Sequence, residues 1–179
     1  MLGCTPRGRN TEQHDIFVTV AAHIRDTVPE IVNFWPEAEG DIHIDAWREV
    51  KQVGSAGVVV QLRSDEAAVT ETGKKLFFIN LGGYKENEFD EFHYKMLVAA
   101  EEKSEAIKQA KSSAFYKHTG FKGAESHIDD KFGVDVDDIY QIEEILPSHI
   151  KQKYRIVLSE NNSRQIDELN LGYFKLGSL

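Results

Sequence analysis

Two stretches of the chain share a spelling: "IHIDAWREV" at 42–50 and "SHIDDKFGV" at 126–134 each hold His-Ile-Asp with a Val five residues after the Asp. A second pair of residues also recurs, because Glu12 stands two before His14 and Glu91 two before His93. On an extended chain, residues two apart project from the same face. Glu12 with His14 and His43 with Asp45 would then each present an imidazole and a carboxylate to one side. The counterparts are Glu91 with His93 and His127 with Asp129. Imidazole nitrogen and carboxylate oxygen are donors for zinc, iron(II) or manganese(II), provided three or four of them converge. The eight residues Glu12, His14, His43, Asp45, Glu91, His93, His127 and Asp129 form the candidate ligand set. The cofactor stays open, a divalent metal being one that these donors could hold, and the expectation is one pocket per copy. The same groups could instead brace turns and strand ends by hydrogen bonds, which any folded chain requires of its buried polar atoms.

These residues recur because the chain repeats. An offset of 79 residues carries Leu2-Gly3 onto Leu81-Gly82, Glu12 onto Glu91, His14 onto His93 and Ala21 onto Ala100 without a gap. It also lays Val28, Ile31 and Trp35 over Ile107, Ala110 and Ala114, a spacing of three and four that lines one face of a helix. Beyond the helix the offset becomes 84, which superposes the two His-Ile-Asp runs; the extra residues fall near the glycines of "HTGFKG".

Each copy reads as β-β-α-β-β. "KKLFFINLGG" and "HYKMLVAA" are strands in the second copy, and "EEKSEAIKQAKSSAFYKH" is a helix with Ser104 as its N-terminal cap. "DIFVTVAA" and "DTVPEIVNFWP" are the strand and helix of the first, with Pro29 in the first turn, where its missing N–H costs nothing. "DIHIDAWREV", "GVVVQLR", "FGVDVDDIYQI" and "KYRIVLSE" supply the later strands. The expected class is α+β, a tandem duplication with mainly antiparallel sheets and approximate two-fold symmetry. Residues 1–64 form the first repeat, the polar stretch 65–74 a linker, 75–158 the second repeat and 159–179 a tail. The first copy begins at Met1 and lacks a counterpart of "KKLFFIN". Its open edge therefore requires cover from the C-terminal "YFKL", the linker or a second subunit in a homodimer.

Bulk properties narrow the partners. With 41% apolar and 10% aromatic residues, the 179-residue chain can fill a core. A net charge of −9 without a basic stripe disfavours nucleic acid and anionic membrane surfaces. No apolar run reaches the length of a membrane span and no secretory signal pattern opens the chain, so a cytoplasmic location is expected. The lone Cys4 excludes an intrachain disulfide and a cysteine-rich zinc site. The patch Asp129, Asp130, Asp135, Asp137 and Asp138 reads as a solvated turn and strand edge, since it lacks the central Gly and closing Glu of a calcium loop. Neither a Gly-x-Ser-x-Gly elbow nor a phosphate-binding glycine fingerprint is present.

The stretches "KLFFINLGGY", "EQHDIFV", "HIDAWREV" and "HIDD" resemble the bacterial family of domain of unknown function 1543, across residues 1–64 and 75–158. The resemblance implies a duplicated unit and brings no activity with it. "MLGCTPRGR" departs from the family's Leu-Gly-Gly form. The reading is a small-ligand or metal-binding module. One alternative is a metal-dependent enzyme using Glu12 or Glu91 as general base; the other is an assembly module.

Overall fold

The computed structural model describes residues 1–65, 71–84, 87, 89–112, 136–161 and 166–179. The protein is α+β, with three antiparallel sheets and few helices. The first sheet runs β10-β3-β1-β2, built from β1 (Leu2–Cys4), β2 (Gln13–Asp15), β3 (His43–Trp47) and β10 (Asn170–Lys175). The second runs β7-β6-β8, from β6 (Lys75–Tyr84), β7 (Glu91–Ala100) and β8 (Val136–Gln141). The third joins β4 (Gln52–Val53), β5 (Ala56–Leu62) and β9 (Tyr154–Glu160).

Helices cover one face of each of the first two sheets. A 3-10 turn at Ile24–Thr27 leads into α1 (Val28–Phe34), which buries Ile31 with Leu2, Cys4, Ile42 and Ile44 of the first sheet's core face. Helix α2 (Lys103–Lys111) sets Ala106 and Ala110, both fully buried, against Phe77, Ile79 and Leu81 of β6. The alternate residues of β6, Leu76 and Phe78, enter a third cluster with Ala56, Leu158 and two short helices, α3 (Ile142–Ile145) and α4 (Ser148–Lys153). Strand β6 is thus apolar on both faces, as a central strand must be. Helix α2 starts two residues earlier than a Ser104 cap would place it. Glu102 is its N-cap, and the Ser104 hydroxyl donates to the Glu102 carboxylate instead.

One difference from the sequence expectation concerns a strand. The run "IFVTV" forms no ladder: β2 ends at Asp15, which faces Leu2, so residues 16–20 have no strand alongside them. They remain in the interior all the same. Ile16, Val18 and Val20 pack into the cluster of α3 and α4, while Phe17 turns to that of α1. The C-terminal segment meanwhile covers β3, with Phe174 opposite Ile44 and Lys175 opposite His43. Helices α3 and α4 were not foreseen, being too short to show a period in the sequence. Among the described residues, no helix is long and apolar enough to cross a membrane.

Candidate metal centre

Gly3 lies in β1 between two imidazoles: His14 is its partner on β2 and His43 its partner on β3. Directly paired residues project to the same side of a sheet, and so do residues two apart on a strand. Glu12 and Asp45 therefore join His14 and His43 on one face. Leu2, Cys4 and Ile44 fill the other, within the core. The absence of a side chain at Gly3 is what lets the group close. A Cβ there would stand 2.6 Å from Asp45 Oδ2 and 2.6 Å from His43 Nε2.

The four side chains meet as an alternating ring. His14 Nε2 lies 3.4 Å from Glu12 Oε2 and 3.5 Å from Asp45 Oδ2. His43 Nε2 lies 3.0 Å from Glu12 Oε1 and 3.1 Å from Asp45 Oδ1. His43 is buried, whereas Glu12 and His14 are open to solvent on one side. Asp45 Oδ2 is itself shielded from solvent and receives no hydrogen bond, because its contact with His14 is one of charge and proximity only. Tyr173 of β10 stacks on the His43 ring with centroids 4.1 Å apart. A β-bulge between Leu171 and Phe174, with Gly172 at a φ of 154°, sets two residues of β10 opposite Asp45 and brings Tyr173 over the ring.

A second group occupies the other sheet. Gly82 on β6 pairs with His93 on β7, and Glu91 projects from the same face as His93. On β8 a register shift between the partners of Asn80 and Leu81 makes Asp137 the extra residue. His93 Nε2 is 3.3 Å from Asp137 Oδ2 and 3.9 Å from Glu91 Oε2, and one ligand atom from each of the three fits within 4.8 Å of the others. Gly82 again provides the room, since a Cβ would lie 2.5 Å from Asp137 Oδ2.

Both groups border one cleft of about 410 Å³, whose lining includes His14, Asn80, His93, Lys95, Asp138 and Tyr140. The charge of Asp138, then burial and the hydrogen bond its own hydroxyl donates to Asp138, push the Tyr140 phenol up. A smaller cavity of about 230 Å³, between β6, β9 and α3, carries no imidazole.

The structure brings Glu12, His14, His43 and Asp45 together, and Glu91 with His93. His127 and Asp129 lie outside the described residues. The residue that sequence reasoning passed over is Asp137. Ladder register was the missing signal: Val136 faces Leu81 as Ile44 faces Leu2, which gives Asp137 the place beside its glycine that Asp45 has beside Gly3.

Fold and site together define an α+β protein of antiparallel sheets that carries an imidazole–carboxylate group on each of two sheets. Residues 9–60 match the model of the family described as Domain of Unknown Function (DUF1543), and that stretch contains all four residues of the first group. Protein Il1583 from Idiomarina loihiensis, known from a crystal structure, is 20% identical and superposes with a TM-score of 0.63 over 98% of this chain and 93% of its own. The likeness is one of fold. A comparison with curated proteins finds no match.

Proposed function

We propose that the protein binds a divalent cation through Glu12, His14, His43 and Asp45. One observation carries this reading: each imidazole Nε2 lies within 3.5 Å of an oxygen of both carboxylates. Metal–nitrogen and metal–oxygen bonds of about 2.0–2.2 Å put neighbouring ligand atoms on one ion about 2.8–3.6 Å apart. The distances here are those of adjacent ligands awaiting an ion. A ring nitrogen holds one proton or one lone pair, so a single imidazole cannot serve two carboxylate oxygens well. A cation at the centre serves all four. Two nitrogens and two oxygens suit zinc, with iron(II) and manganese(II) behind it.

The repeat is part of the same proposal. Leu2, Gly3, His14 and the helix at 24–34 recur 79 residues on, in Leu81, Gly82, His93 and α2. Strands β5 and β9, the last of each expected copy, pair antiparallel with Val59 opposite Val157, as two copies related by a two-fold axis would. The proposal is therefore a duplicated cation-binding module.

Titration calorimetry of the chelator-stripped protein with Zn²⁺ tests it. Wild type binds the ion, and the Glu12→Gln/Asp45→Asn double variant, folded by circular dichroism, binds it at least about tenfold more weakly at this site. Equal affinity in both proteins, or no binding by wild type, would show that the four groups merely hold each other as ion pairs.

A further inference from the structure

We infer that Glu91, His93 and Asp137 form a second, separate site for a divalent cation, weaker than the first and richer in oxygen. The inference rests on the cation-binding reading of the first group, but on its own residues. Three donors from β7 and β8 approach within 4.8 Å of one another. They stand over Gly82, whose missing side chain leaves space that a Cβ would take from Asp137. The β-bulge in β8 is the device that aims Asp137 there.

The donor set differs from the first in a way that has chemical consequences. His43, the buried second imidazole of the first group, has no histidine matching it among the described residues beside Gly82. One nitrogen and two carboxylates make a harder set, so the preference for zinc over manganese(II) narrows relative to the two-imidazole site. Glu91 and His93 are each more than one-third exposed, and the Glu91 contact is long at 3.9 Å. Some rearrangement must accompany binding there, which lowers affinity. His14 and His93 both line the same cleft, so ions at the two sites would flank a single space.

Two titrations of the full chain, one with Zn²⁺ and one with Mn²⁺ followed by electron paramagnetic resonance, decide the matter. Wild type takes up zinc in two steps, the second at least about tenfold weaker. Glu91→Gln/Asp137→Asn removes the weaker step and leaves the tighter one, whereas Glu12→Gln/Asp45→Asn does the reverse. The ratio of zinc to manganese affinity is at least about tenfold smaller for the weaker step. A wild type that binds one ion, lost only with Glu12 and Asp45, overturns this inference and leaves the first site standing. Binding lost only with Glu91 and Asp137 sinks the first site and upholds the second. A protein that binds neither metal overturns both.

Discussion

Two glycines control how closely the proposed ligands approach. Gly3 and Gly82 sit in ordinary strands, so their value lies in what they leave empty: a methyl group at either one would collide with a carboxylate, and at Gly3 also with an imidazole. Gly3→Ala should weaken Zn²⁺ binding at the first site at least about tenfold while costing about 1–3 kcal/mol of stability from overpacking. Calorimetry and thermal melts separate the two effects. Cys4 lies on the opposite face of β1 in the core, and burial, then the charges of Asp41 and Glu12, push its thiol up. A raised folded-state value favours the protonated thiol, so its contribution to stability is intact below the ordinary 9.0 and is lost as pH rises through the folded value. As pH rises above the ordinary 9.0 the wild type should therefore lose stability faster than Cys4→Ala, as denaturant melts at stepped pH would record; parallel curves would refute this. The Glu-x-His and His-x-Asp pairs were legible because a strand's period is two and needs no knowledge of its neighbours. Asp137 was not, since a bulge shifts side-chain direction by one residue and only the ladder reveals it.

Strand β10 shows how one element serves both packing and site. It closes the outer edge of β3, lends Phe174 to the core of α1, and holds Tyr173 against His43, while Leu176 and Leu179 follow it into the same cluster. Arg25 Nε donates to the Leu179 carbonyl, tying the segment to the turn before α1. Deleting residues 170–179 should cost about 3 kcal/mol or more, lowering the melting temperature by roughly 6–12 °C. It should also weaken zinc binding, because the buried imidazole loses its stacking partner. An unchanged melt would mean that the edge of β3 tolerates exposure. The C-terminal "YFKL" was among the segments expected to cover an edge, but neither its pairing with β3 nor the bulge that aims Tyr173 was readable. The apolar run "IFVTV" was misread for a related reason. Alternation predicts which side chains go inside, whereas ladder formation depends on a partner strand, and the β1–β2 ladder reaches only Leu2 opposite Asp15.

At the level of the molecule, β6 divides the interior into two of its three clusters, with Phe77, Ile79 and Leu81 on one side and Leu76 and Phe78 on the other. On the second of these faces the apolar residues give way, two positions at a time, to Asn80 and then Gly82, and there the core becomes the polar cleft. The proposed cation sites thus lie at the ends of sheets whose other ends are packed. An ion bridging β2 to β3, or β7 to β8, ties strands that otherwise meet only through the central β1 or β6. Binding to the folded state alone stabilises it by mass action, about 2.7 kcal/mol when free ion exceeds its dissociation constant a hundredfold. For a chain of this size that corresponds to a rise of roughly 5–10 °C in melting temperature. Zinc should give that rise in wild type, and a chelator should reverse it. In Glu12→Gln/Asp45→Asn, melted at the same zinc concentration, the rise should shrink to what the weaker site alone supplies, because the folded variant keeps its two imidazoles but has lost both carboxylate ligands. A zinc-dependent rise of equal size in that variant would place the stabilising ion elsewhere on the molecule.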